Sequence, residues 1–288
     1  LRVEGSPVTP AAIKKTLQPT RASEVDLIAY GQECAADLRK ADKVSTAHRY
    51  ESVMRKLARF HGQRLFFTDL DNSLMRKYHL YMASELGNNQ STIASNFRAI
   101  RTIVNRAVKD GIFPADDKLF DGLSFVEPGG EKRKLRVDEI QAIQDLKLDL
   151  NSPHWKARAY WLVSMYLGGM RFRDVADLRV WSIQGGRLNY RMSKTKKFKN
   201  IDIPVPAKKI IEHFSPDFED LESRVFPILS GYNTRTAENI RRAVSSQNAY
   251  TNRLLKEIAA KAKVYPRLSF HQSRHSFANR AIEAGWSV

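Results

Sequence analysis

The sequence predicts a mainly α fold with a small β-sheet, an α+β chain in two parts. Three observations predict it. Apolar residues recur at spacings of three and four through residues 23–112. Leu188, Tyr190 and Met192 alternate with polar neighbours, and so do Ile201, Ile203 and Val205. Between the helical part and the mixed part lies Glu127–Arg136, a Pro-Gly-Gly breaker followed by a basic run, which reads as a linker. A length of 288 residues suits about two domains.

Residues 1–22 read as an extended lead-in, with Pro7, Pro10 and Pro19. Four helices are expected next, over Ser23–Lys40, Ser45–Phe60, Asn72–Leu86 and Ser91–Asp110. Each start offers a Ser, Thr, Asp or Asn as N-cap, and Gly111 stands where a C′ glycine would end the fourth. In that fourth helix Ile93, Phe97, Ile100, Val104 and Ala107 form one apolar stripe, and Arg98, Arg101 and Asn105 fall on another face. In the second, Tyr50, Val53, Leu57 and Phe60 face in, while Arg49, Ser52, Lys56 and Arg59 face out. Spacing alone describes these rows first as solvated faces, and second as phosphate-contacting rows through Arg49, Lys56, Arg98 and Arg101.

Past the linker, a helix from about Asp138 carries Ile140, Ile143 and Leu146. A strongly apolar helix runs from about His154 to Leu167 and stops at Gly168-Gly169, and a short helix follows at Arg173–Leu178. The two alternating segments then form a hairpin around the Lys-rich turn Ser193–Lys199. After Pro206 the pattern returns to helix, at Ala207–Phe214, within Thr234–Ala243, over Ser246–Ala262, and from His271 to Ala284 with Gly285 as its C′ residue.

Composition narrows the function. Forty-two per cent hydrophobic and 10% aromatic residues suffice for packed cores. No apolar run has the length of a membrane span, and the start has no signal-peptide core. Cys34 is the single cysteine, which excludes an intrachain disulfide or a multi-thiolate zinc site and fits a reducing, cytoplasmic setting. The net charge is +17, and it is uneven. Residues 1–130 hold 19 basic and 15 acidic residues, whereas residues 131–288 hold 29 and 16. A polyanion is therefore the first partner to consider, and an anionic membrane surface the second. The sequence contains no P-loop, dinucleotide fingerprint, H-E-x-x-H or G-x-S-x-G.

Phosphodiester cleavage without a metal needs cations on the non-bridging oxygens, a proton donor for the leaving 5′ oxygen and a nucleophile to hold the phosphate. Arginine suits the first role through its planar fork and permanent charge. Arg171 follows the Gly168-Gly169-Met170 break, with Asp174 three residues on, placed to orient a neighbouring arginine. Lys194 lies in the hairpin turn, among other lysines of a solubilising kind. His271 and Arg274 share one face of a helix's first turn, where the helix dipole favours anions. Each motif alone is unspecific, and His61-Gly62-Gln63-Arg64 has the same spacing as the last.

Their order is specific. LGGMRFRDVADL at 167–178, SKTKKFKNIDIPV at 193–205 and HQSRHSFANRAIEAG at 271–285 together resemble the tyrosine recombinases, the phage-integrase family. The likeness is close over 160–285 and looser over 23–125, and its style is most similar to integrases of Bacteroides-type mobile elements. It implies a helical core-type DNA-binding domain over 23–126 and a mixed α/β catalytic domain over 137–288. It further implies that Arg171 and Arg274 clamp the scissile phosphate, Lys194 protonates the leaving 5′ hydroxyl, His271 assists proton transfer and Asp174 supports the first arginine. It implies no metal, ATP or nucleotide cofactor. The expected partners are double-stranded DNA, further copies of the chain in a tetramer on two sites, and accessory DNA-bending proteins in the bacterial nucleoid.

One departure stands out. The family's nucleophilic tyrosine follows the second arginine, and no tyrosine follows Arg274 here. The expectation is that the nucleophile lies outside this sequence and that the chain as given binds DNA without cleaving it. The lead-in Val8–Lys14 resembles a connector after an arm-binding domain, so a longer parent protein is expected. Two alternatives remain: a type IB topoisomerase-like relaxase, and a non-catalytic DNA-binding protein on a recombinase fold.

Overall fold

The structure, a computed structural model, describes residues 25–62, 64–114, 116, 118–125, 135–214, 219–265, 268–283 and 285. The lead-in, most of the linker and Trp286–Val288 lie outside the described residues. The chain forms two compact units, divided between Gly130 and Glu131.

The first unit is helical: α1 (Leu27–Lys40), α2 (Val44–His61), α3 (Asn72–Ser84) and α4 (Gln90–Lys109). Asp26 caps α1 by accepting from the Ile28 N–H at 2.8 Å, and the same oxygen accepts from the Leu65 N–H at 3.2 Å. One carboxylate thus starts the helix and ties it to the 64–66 segment. Asp71 and Asn89 cap α3 and α4 through the N–H groups of Leu74 and Thr92. The expected caps Ser45, Asn72 and Ser91 are not used. The second helix starts one residue earlier, behind Lys43, with no side-chain cap, and the fourth starts at Gln90 behind Asn89. Leu27, Met54, Leu57, Phe67, Tyr78, Phe97 and Ile100 form the core and are fully buried. Each such side chain contributes roughly 1.5–3 kcal/mol of burial free energy. The Tyr30 hydroxyl donates to Asp110 at 2.5 Å and binds the end of α4 to α1.

The second unit contains α5 (Val137–Asp145), α6 (Pro153–Tyr166), α7 (Phe172–Ala176), a sheet, α8 (Val205–His213), α9 (Ala237–Lys261) and α10 (Phe270–Glu283). The sheet is antiparallel, in the order β1 (Ile183–Gln184), β2 (Arg187–Arg191), β3 (Phe198–Asp202), with Leu188 opposite Ile201 and Tyr190 opposite Lys199. Gly185 and Gly186 both have positive φ (56° and 75°), as a two-residue turn twisted to suit a hairpin requires. Leu188, Tyr190 and Met192 face the core, as their alternation predicts. Trp161 of α6, fully buried, belongs to the same core as Ile140 and Ile143 of α5 and Ile258 of α9.

Three sequence expectations need correction in this unit. The second strand ends at Asp202, and Val205 opens α8 with Pro206 in its first turn. The two helices expected over 234–262 are one 25-residue helix, α9. Strand β1 was not expected, because two residues are too short to show alternation.

Candidate active site

Helix α6 brings the chain to the Gly168-Gly169 break. Both glycines take left-handed φ values, 74° and 69°, and turn the chain back so that Arg171 precedes α7 in extended conformation. The Arg171 carbonyl accepts from the N–H groups of Asp174 and Val175, which fixes the backbone of the first turn. An Nη of Arg171 lies 3.7 Å from the Met192 sulfur at the end of β2.

Asp174 is 7% exposed and faces the hairpin. Its Oδ1 accepts from the Ser193 backbone N–H at 3.0 Å. Its Oδ2 is buried and has no hydrogen-bond partner among the described residues. The carboxylate thus holds the turn that carries Lys194, a contact the sequence does not suggest. Met192 closes the turn with both backbone groups, accepting from the Lys196 N–H and donating to the Lys197 carbonyl, each at 2.9 Å. Lys194 is exposed at the turn's start.

His271 and Arg274 lie in the first turn of α10. That turn is anchored from two sides. Asn252 of α9 accepts from the Phe270 N–H at 2.7 Å, and the Trp161 indole of α6 donates to the Ser269 carbonyl at 3.2 Å. Arg274 donates to the Gly169 carbonyl at 2.9 Å. A Cβ on Gly169 would stand 2.9 Å from the Arg274 Cα, so this approach requires glycine. His271 is exposed and meets His275 edge-on, ring centroids 4.6 Å apart and perpendicular.

Tyr190 belongs to the same neighbourhood. Burial, helped by the Asp174 carboxylate, pushes its phenol up to about 12, and the Arg274 and Arg171 guanidiniums oppose that rise. The phenol thus feels both arginines and the acid at once. The second unit therefore gathers Arg171, Asp174, the Lys194 turn and Arg274 around one glycine break, with His271 on the same helical turn as Arg274. Sequence reasoning gave no site role to Gly169, Tyr190, Met192, Ser164 or Ser273, all of them buried. Only the paired glycines left a visible signal. Among the described residues, no group of three or more His, Cys, Asp or Glu could hold a metal ion.

The four basic residues expected on helix faces belong to the first unit. Arg49 and Lys56 are on α2, the first exposed and the second half-buried. Arg98 and Arg101 are exposed on α4 but occupied. Arg98 reaches the Phe125 carbonyl at 3.5 Å, and the Arg101 guanidinium lies 5.5 Å from the centre of the Phe125 ring. No helix among the described residues is long and apolar enough to cross a membrane.

The phage integrase SAM-like domain matches residues 26–119, and the phage integrase family matches residues 133–288. No curated protein sequence matches the chain. Similar solved structures include the Tn1549 transposon integrase in complex with a circular intermediate DNA, with a TM-score of 0.65 and 16% identity over 91% of this chain and 88% of that one. The lambda integrase dimer bound to a COC′ core site gives 0.59 and 15%, over 86% of each chain. The lambda integrase tetramer bound to a Holliday junction gives 0.59 and 13%, over 99% of this chain and 80% of that one. With a family match that covers more than half its length, this chain belongs to the phage integrase family, the tyrosine recombinases.

Proposed function

We propose that this recombinase cleaves and rejoins DNA at specific sites through a 3′-phosphotyrosyl intermediate, integrating or excising a mobile element. The observation that carries the reading is the contact of Arg274 with the Gly169 carbonyl, two residues before Arg171. It supports the reading because it brings Arg274 to the backbone that leads into Arg171, and a clamp on two non-bridging phosphate oxygens needs two such permanent cations.

Each candidate group then has a task. Arg171 and Arg274 neutralise the charge that builds on the phosphate as a tyrosine oxygen attacks phosphorus. Lys194 gives a proton to the leaving 5′ oxygen as the P–O bond breaks. His271 supports proton transfer at the attacking side. Asp174 acts through the hairpin, because its oxygen fixes Ser193 beside Lys194.

The two units divide the work. Residues 23–126 form a core-type DNA-binding domain, in which Arg49, Lys56, Arg98 and Arg101 contact phosphates. Residues 137–288 form the catalytic domain. The working assembly is a tetramer on two duplex sites, with accessory DNA-bending proteins at some of them. The element it moves is of the Bacteroides type. The test is covalent capture: the complete gene product, incubated with duplex DNA from the ends of its element, forms an adduct stable in detergent. Arg171→Ala and Arg274→Ala each abolish it. An adduct that survives both substitutions overturns the assignment. Relaxation of any supercoiled DNA without site preference would favour the topoisomerase-like alternative instead.

A further inference from the structure

Two buried hydroxyls join the residue before Arg171 to the residue before Arg274. Ser164, near the end of α6, is 0% exposed, and so is Ser273 of α10. Their Oγ atoms are 2.6 Å apart. The Ser164 hydroxyl also lies 2.6 Å from the Met170 carbonyl oxygen, and the Ser273 hydroxyl 2.7 Å from the Phe270 carbonyl.

Two protons serve the three contacts, so two of the contacts are hydrogen bonds at any one time. A hydroxyl has one hydrogen and two lone pairs, while a carbonyl only accepts. The Ser164 proton goes to Met170. Ser273 has one proton for two acceptors, the Phe270 carbonyl and the Ser164 oxygen; when the proton sits on Ser164, a chain runs from α10 through α6 to the glycine break. The Met170 N–H closes a ring by donating back to the Ser164 carbonyl at 3.1 Å.

The surroundings make this chain unusual. Trp161, Met165, Leu167, Met170 and Phe270 of the apolar core surround these two serines in sequence and belong to one packed cluster. Replacing both members of a buried hydrogen-bonded pair with apolar groups is often nearly neutral for stability. Folding calls for these hydroxyls only as donors to the Met170 and Phe270 carbonyls, not for their contact with each other. What they provide is direction, because a hydrogen bond fixes the separation of Met170 and Ser273 more sharply than apolar packing does.

We propose that Ser164 and Ser273 are positioning residues that set the spacing of the Arg171 and Arg274 guanidiniums. The inference rests on the recombinase reading above. Neither serine touches DNA, since both are fully buried. They act through the backbone on either side of the phosphate site, and small errors in such placement cost rate.

The experiment compares Ser164→Ala, Ser273→Ala and the double variant in the complete gene product. Each single change is expected to slow single-turnover formation of the covalent adduct by about tenfold. The double change slows it no further, because the two hydroxyls act as one link. DNA affinity stays within about twofold, since the positions lie under the site and leave the phosphate-contacting cations in place. A purely structural role would instead lower the thermal midpoint and the active fraction while the rate of that fraction stayed constant. That result, or unchanged or additive rate losses, overturns the proposal. A crystal structure of the double variant is an independent check, and an unchanged Arg171 to Arg274 separation overturns it as well. Failure of the parent reading is separate: the unaltered protein forms no adduct, or keeps it after Arg171→Ala.

Discussion

The Asp174 carboxylate accepts a hydrogen bond from the Ser193 N–H at 3.0 Å, across 19 residues of sequence. This contact joins the short helix behind Arg171 to the turn that presents Lys194. It makes the position of the lysine depend on an acid from a different element.

Asp174→Ala removes the acceptor and leaves the Ser193 N–H unpaired in a half-buried place. A loss of roughly 1–3 kcal/mol in unfolding free energy is expected, measured by chemical denaturation. Asp174→Asn keeps an oxygen for Ser193 and should lose less. Equal losses in the two variants would show that the contact does not hold the turn.

Gly169→Ala places a methyl group 2.9 Å from the Arg274 Cα at a residue with φ of 69°. Helix α10 must then move or the glycine break must reshape. Adduct formation should fall at least tenfold, and the strained backbone should cost about 1–3 kcal/mol. Gly285→Ala is the control, because a Cβ there meets nothing within 4 Å. It shares the positive φ but not the crowding, so cleavage should persist in that control and fail at 169.

Alkaline pH should destabilise the second unit through Tyr190. Its folded phenol is pushed to about 12, above an ordinary value of 10.0. Below pH 10 the phenol is neutral in both states, and the contribution to stability is complete. As pH rises toward 12 the unfolded chain ionises first, and stability falls by up to about 1.4 kcal/mol per pH unit for each such group. Burial raises Tyr160 further still and extends the loss. Urea titrations across pH 9–11 should show a shallower decline in Tyr190→Phe. An identical decline would mean that the phenol titrates normally.

Salt dependence tests the helix faces. Arg49→Ala and Lys56→Ala should each lower the slope of log affinity against log salt by about 0.9 if each contacts one phosphate. Arg98→Ala and Arg101→Ala carry a second effect, since both side chains also hold Phe125. Their thermal midpoints should fall along with affinity. Slopes unchanged in all four variants would mark these rows as solvated faces.

The helices of the first unit were legible because their stripes are regular and Asn72, Gly111 and the apolar positions of α4 mark them plainly. Their starts were less so, because Lys43 is no capping residue and yet precedes α2. The sequence divides α9 in two because Ser245 and Ser246 resemble a break. Leu254, Leu255 and Ile258 are buried on one side beyond it, and Ala243 before it, so packing carries the helix through. The charged site residues were legible as motifs. The groups beneath them were not, because Ser164 meets Ser273, Met192 meets Arg171 and Tyr190 feels both arginines only across folded distance.

The bond between Arg274 and Gly169 spans 105 residues, and that between Ser164 and Ser273 spans 109. During synthesis, the glycine break, Arg171 and the lysine hairpin all leave the ribosome well before α10 does. The second arginine arrives last. If the two arginines clamp a phosphate as proposed, a nascent chain that lacks α10 carries many basic residues but only one side of that clamp. On the proposed reading, the order of synthesis keeps the two halves of the phosphate clamp apart until α10 has been made.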